Sequence, residues 1–280
     1  MKTALDTRIS RKFRALSEAG ELGLVAYVTA GDPTLDATEK IVLASAEAGA
    51  DVIELGVPFS DPVADGPTIQ RASERALASG TTLEGVLGLV KRIRAKSDVP
   101  MVLFSYFNPM LQMGLAKFAA AAAQAGADGV LATDLTPEEA GDYRAALNTK
   151  GLDAIFLVAP TTSDARLGAV AEASSGFLYL ISRNGITGAQ DALPSDLPAL
   201  VRRVRKSTKL PVAVGFGISQ PTHVTVLGGL ADAAVVGSAL VAEIEMARSA
   251  DAAASAVAAK VASLKGAASK GVSRRSFDAP

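Results

Sequence analysis

The chain has 280 residues, 49% of them hydrophobic, which is enough apolar matter for a full core and too much for a chain disordered throughout. Its 28 Lys and Arg against 29 Asp and Glu leave a formal charge of −1, which excludes a global basic field that would gather nucleic acid or anionic membrane. The absence of cysteine and the single histidine, His223, exclude disulfide scaffolds, cysteine-held zinc, iron–sulfur clusters, thiol nucleophiles and a His-rich metal site within one chain.

The first ten residues carry Lys2, Asp6 and Arg8 with no apolar signal segment, so a soluble cytoplasmic protein is expected. In chain order, a helix over about 7–19 precedes eight short Val-, Ile- and Leu-rich runs that read as strands: Leu24–Thr29, Asp51–Leu55, Met101–Tyr106, Gly129–Thr133, Ala154–Ala159, Phe177–Ser182, Pro211–Phe216 and Ala233–Gly237. Helical spacing fills segments between them, such as Leu35–Ala48, Leu83–Lys96, Leu115–Ala125, Pro137–Lys150 and Leu197–Lys206, and a final helix spans Ala250–Leu264. Strand–helix alternation with strands apolar on both faces means a covered parallel sheet. Eight such units in about 250 residues favour a single (β/α)8 barrel of the α/β class. Ala-Gly-Ala-Asp stands before two of the strands, at 48–51 and 125–128, with Gly49 and Gly126 placed to stop the preceding helices. One catalytic domain is expected over 1–264, followed by a disordered basic tail over 265–280.

In such a barrel chemistry belongs where strands end and the following loops begin. Glu54 stands inside the apolar second strand, between Ile53 and Leu55. A buried carboxylate must be paired, hydrogen-bonded or neutral. Glu54 therefore reads equally as an acid kept protonated near neutrality and as a structural group bonded to a neighbouring loop. Asp65, eleven positions on, could reach the same pocket, and two carboxylates in unlike surroundings can divide acid and base roles. Alone, Asp61 and Asp65 are ordinary turn residues. The second signal is anionic. Gly185 and Gly188 follow the sixth strand, Gly215 and Gly217 the seventh, and Gly237 with Ser238 the eighth. Glycines admit backbone N–H groups to a phosphate, and a helix starting at Ser238 points its positive end there. Tyr179 can point inward from the sixth strand or simply pack in the core. His223 reads as a surface or helix-start residue.

The run Glu54-Leu-Gly-Val-Pro-Phe-Ser-Asp-Pro62, continuing through Ala64-Asp65-Gly66-Pro67-Thr68-Ile69-Gln70, resembles the signature of the tryptophan synthase α chain family. The likeness runs from about Ser10 to Leu264 and includes Val28-Thr-Ala-Gly-Asp-Pro33, Tyr106-Phe-Asn-Pro109, Asp134-Leu135, Thr187-Gly188 and Gly215-Phe-Gly-Ile-Ser219. The resemblance implies a lyase that cleaves indole-3-glycerol phosphate to indole and glyceraldehyde 3-phosphate. Glu54 would be its general acid/base and Asp65 its second catalytic carboxylate. It places Tyr27, Phe104, Leu131 and Tyr179 around the indole. It also places Gly188, Phe216, Gly217, Gly237 and Ser238 at the phosphate, with Thr187 closing the sixth loop over Asp65. It implies no cofactor in this chain, and a β subunit carrying pyridoxal phosphate as partner in an α2β2 assembly, met through Pro58, Asp61, Asn108 and Pro109. A free-standing lyase, an inactive scaffold that modulates a β subunit, and another sugar-phosphate barrel enzyme are the alternatives. Thr136-Pro137 departs from the family's pattern and is expected to shift a helix start while leaving Asp134 in place.

Overall fold

The computed structural model describes residues 6–181, 193–215 and 217–268. Nine parallel strand segments form its sheet: β1 (Gly23–Thr29), β2 (Val52–Gly56), β3 (Met101–Ser105), β4 (Gly129–Ala132), β5 (Asp153–Ile155), β6 (Leu157–Val158), β7 (Leu178–Ile181), β8 (Val212–Gly215) and β9 (Ala233–Val236). They pair in the order β5-β4-β3-β2-β1-β9-β8-β7-β6. The two ends of that list are halves of one strand parted at Phe156, so the sheet closes on itself as the expected eight-stranded barrel. The fifth run, read as one strand, is thus two. Strand interiors are buried on both faces, as a sheet lined within and wrapped without requires.

Twelve helices accompany the strands among the described residues: α1 (Arg8–Ala19), α2 (Leu35–Glu47), α3 (Pro67–Ala78), α4 (Leu83–Arg94), α5 (Phe107–Met113), α6 (Leu115–Ala125), α7 (Gly141–Asn148), α8 (Asp164–Ala173), α9 (Leu197–Arg205), α10 (Pro221–Leu227), α11 (Ser238–Met246) and α12 (Ala250–Ala268). In α1 (Arg8–Ala19) the Thr7 hydroxyl caps the start by accepting the Ser10 N–H, and Gly20 in the left-handed region (φ 68°) ends it. Its buried face of Ile9, Phe13 and Leu16 lies across the N-terminal end of the barrel, where Ile9 and Phe13 join the interior cluster and Phe13 meets Phe177 with ring centroids 5.5 Å apart. The repeated Ala-Gly-Ala-Asp has two functions at this end. Gly49 and Gly126 take φ of 105° and 96°, as helix stops. Asp51 accepts the Leu24 N–H at 2.9 Å and Asp128 that of Met101 at 2.8 Å, each stitching the start of a neighbouring strand.

Two helix boundaries also differ from those read in the sequence. The segment expected to be helical from Pro137 turns through Thr136–Ala140 and becomes helix only as α7 (Gly141–Asn148); Asp134 does stay at its strand end, accepting the Phe107 N–H at 2.7 Å. The last helix, α12 (Ala250–Ala268), continues past Leu264, with Lys265 held by Asp51 at 2.7 Å and Glu21 at 3.4 Å; residues 265–268, expected in the tail, are thus helical, and 269–280 lie outside the described residues. Two helices sit on the C-terminal face itself, α3 (Pro67–Ala78) after β2 and α11 (Ser238–Met246) after β9.

Candidate active site

Residues 52, 54 and 56 of β2 point into the barrel, because side chains alternate along a strand and Val52 belongs to the interior cluster. Glu54 stands in register with Tyr27 of β1 and Val102 of β3. It is fully buried, and among the described residues neither of its carboxylate oxygens has a hydrogen-bond partner. Burial alone pushes its carboxyl up to about 8. Of the two readings open for Glu54, the loop-bonded one finds no bond among the described residues.

Asp65 closes the loop between β2 and α3 and is also buried. Gly66 caps α3 without a side-chain bond and Pro67 opens it, which fixes where the carboxylate emerges. The Tyr106 hydroxyl donates to Asp65 at 3.1 Å and accepts the Ala64 N–H at 2.9 Å, while the Tyr106 ring stacks on Phe59 at 5.0 Å. Gln70 Nε2 donates to the Asp65 backbone carbonyl at 2.9 Å. Burial raises the Asp65 carboxyl to about 6, against the lowering effect of the Tyr106 bond. Near neutrality Glu54 is therefore mostly protonated and Asp65 mostly ionised.

Tyr27 and Tyr179 flank these acids. Burial raises both phenols first; the charge of Asp65 then adds at Tyr27 and that of Glu54 at Tyr179, so the four groups face one interior. Each ring lies over a glycine of the adjacent strand. A Cβ on Gly56 would stand 2.2 Å from the Tyr27 hydroxyl, and one on Gly215 2.3 Å from that of Tyr179. Gly215, read in the sequence as part of a phosphate loop, thus makes room for a tyrosine. Phe104 meets Tyr27 edge-on at 5.3 Å, and Leu131 is buried in the same interior cluster. Across the mouth, Gly217 holds φ of 85°, and α11 starts at Gly237-Ser238 with no side chain capping it. Thr187, Gly188 and Phe216 lie outside the described residues.

Of the residues expected to face a partner, Asp61 and Asn108 are exposed and Pro109 half-buried, whereas Pro58 is buried. His223 is at a helix start, α10 (Pro221–Leu227), but is buried rather than on the surface and accepts the Ser219 N–H at 3.3 Å. Tyr106 and Gln70 were not singled out in the sequence; Tyr106 stands directly after β3, where the strand-end rule would have found it. A second hollow, of about 1470 Å³, opens at the opposite end beneath α1; its buried acid, Asp153, already accepts the Thr7 hydroxyl at 2.6 Å. Among the described residues no group of three or more His, Asp or Glu is placed to hold a metal ion, and no helix is long and apolar enough to cross a membrane.

This arrangement has close counterparts. The family profile described as tryptophan synthase alpha chain matches residues 13–269. The tryptophan synthase alpha chain of Citrifermentans bemidjiense is 55% identical over 235 residues, covering 84% of this chain and 88% of that one. That of Caulobacter vibrioides is 51% identical over 241 residues, 86% of this chain and 88% of its own. Among solved structures, Mycobacterium tuberculosis tryptophan synthase superposes with a TM-score of 0.88 at 35% identity over 96% of this chain and 100% of that chain. The alpha subunit from Legionella pneumophila gives 0.84 at 38% identity over 93% and 98%. The chain belongs to the tryptophan synthase alpha chain family of enzymes.

Proposed function

We propose that this chain is the lyase subunit of a tryptophan synthase, cleaving indole-3-glycerol phosphate to indole and glyceraldehyde 3-phosphate by a retro-aldol step. The observation that carries the reading is the pair of buried carboxyls facing one interior, one raised to about 8 and the other to about 6. Protonated Glu54 gives its proton to C3 of the indole ring. The ring nitrogen then carries positive charge, and ionised Asp65 accepts its N–H and stabilises it. Glu54, now a carboxylate, takes the proton from the hydroxyl on the carbon next to the ring. That oxygen's electrons form the aldehyde, the C–C bond breaks, and its pair returns to the ring as neutral indole. Glu54 ends protonated, so no net proton is consumed.

Tyr27, Phe104, Leu131 and Tyr179 form the wall for the indole in this reading. The amides at Gly217 and at Gly237-Ser238, with the positive end of α11 behind them, receive the phosphate, together with Thr187, Gly188 and Phe216. We place the β subunit, which carries the pyridoxal phosphate, on the C-terminal face at Asp61, Asn108 and Pro109. Exposed Val63 (80%) and Leu111 (50%) on the same face support that choice. The setting is the cytoplasm.

The test is indole release from indole-3-glycerol phosphate by wild type and Glu54→Gln, each with and without a β subunit. Wild type weak alone, sharply stimulated by β, with Glu54→Gln lower by about a thousandfold or more, is the expected result. Wild-type turnover by Glu54→Gln overturns the acid/base assignment. Full activity without β makes the chain a free-standing lyase.

A further inference from the structure

The two helices on the C-terminal face each carry half of the site at their first residue, Asp65-Gly66 before α3 and Gly237-Ser238 before α11. They pack side by side, with Ile69 and Ala72 of α3 and Val241 of α11 in one buried cluster beneath Tyr27. A row of four charges fastens their far ends. Arg71 of α3 donates Nε and one Nη to the two oxygens of Glu245 on α11, both at 2.7 Å. Arg75, one turn on, donates an Nη to Glu245 at 2.9 Å, and its Nε and other Nη to the two oxygens of Asp32 at 2.8 Å each. Asp32 is buried in the loop that leaves β1, the strand of Tyr27, and that loop is tied to the end of α3 again where Ser79 Oγ donates to the Gly31 carbonyl at 3.1 Å.

Arg75 therefore joins three pieces of the site frame: the exit of β1, the helix behind Asp65 and the helix behind Ser238. A guanidinium fork bound two ways has one geometry, which a point-charge ammonium does not reproduce. The side chains of Arg75 and Glu245 are 32% and 28% exposed, so neither is enclosed with Glu54 in the interior.

We infer that Arg75 and Glu245 are positioning residues that set the distance between the Asp65 carboxylate and the phosphate-binding start of α11. This rests on the retro-aldol reading above. A substrate held by its phosphate at one helix and by its ring nitrogen at the other is sensitive to their spacing, and a displacement of about 1 Å can cost about a hundredfold in rate. Each half remains whole when the clamp is cut, so the signature is a split between turnover and phosphate affinity.

The experiment compares wild type, Glu245→Ala and Arg75→Lys in complex with a β subunit. It measures kcat and KM for indole-3-glycerol phosphate per folded molecule, and Kd for inorganic phosphate. Glu245→Ala leaves the Arg75–Asp32 pair intact and should fold even if Arg75→Lys does not. The expected result is a fall in kcat of about tenfold or more in Glu245→Ala with phosphate Kd within twofold of wild type, and no rescue by Lys at position 75. Unchanged kcat and KM in Glu245→Ala overturn the positioning role while the lyase reading stands. A phosphate Kd weakened as much as kcat also overturns it, because the pair would then shape only the phosphate end. A wild-type complex that releases no indole overturns both.

Discussion

At the N-terminal end of the barrel, Asp51, Asp128 and Asp232 each stand just before a strand and are answered twice over. Each accepts an N–H from the start of the neighbouring strand, and each has a cation at 2.7 Å: Lys265, Arg94 and Arg205 respectively. At the C-terminal end, among the described residues, the Glu54 carboxylate has no hydrogen-bond partner and the Asp65 carboxylate accepts from Tyr106. The same residue class thus closes the backbone's accounts at one end and holds unspent chemical potential at the other. An acid buried without partners destabilises the fold, whereas the paired aspartates of the floor work in the opposite direction.

The comparison breaks most visibly at the floor. Asp128→Ala would orphan the Met101 N–H and leave Arg94, whose side chain is only 13% exposed, without its carboxylate. Removing one partner of such a pair costs about 3–5 kcal/mol. Urea unfolding at pH 7 should show that loss, with turnover per folded molecule unchanged; a loss below about 1 kcal/mol would mean the floor carboxylates are ornamental.

Glu54→Gln should act in the opposite sense. A carboxyl raised from 4.5 to about 8 on folding binds more protons in the folded than in the unfolded chain between those values. The Glu54 contribution to wild-type stability is therefore lost as pH rises from about 4.5 to about 8 and levels off above it, a span worth on the order of 5 kcal/mol. The variant lacks that slope. Unfolding of the two proteins at pH 5 and pH 8.5 should show Glu54→Gln gaining on wild type, and parallel curves would place Glu54 in a wetter or better-bonded site than described. The smallest effect sharpens the other acid. The rate of indole release should be bell-shaped in pH, with limbs near 6 and 8 from Asp65 and Glu54. Tyr106→Phe removes a hydrogen bond that favours ionised Asp65, so its acidic limb should move up while the basic limb stays. A downward or absent shift would mean Tyr106 serves only to stack on Phe59.

Much of this division was legible in the sequence, because both ends are written in local patterns. The eight apolar runs and the helices between them specify the barrel through period and length, and Glu54 announces itself as a charge inside such a run. What the pattern could not express is distance across the fold. Asp51 and Asp128 read only as neighbours of helix-stopping glycines, although their partners Leu24 and Met101 stand 27 positions earlier on the adjacent strand. Gly215 reads as a phosphate-loop glycine, although what demands it, as at Gly56, is a phenol reaching over from the next strand. Helix α3 hid in a loop motif because Gly66-Pro67 reads as a turn as readily as a helix start. The clamp at Arg75 joins positions 32, 75 and 245, and no window of sequence contains it.

Helix α1 gives the barrel a floor: Ile9, Phe13 and Phe177 pack together and close the interior at that end. In the lyase reading, substrate enters and product leaves at the C-terminal face, so a molecule waiting at the rim delays both. Anything that settles on the rim, whether ligand, loop or a second polypeptide, becomes a valve on the whole cycle without touching the acids below.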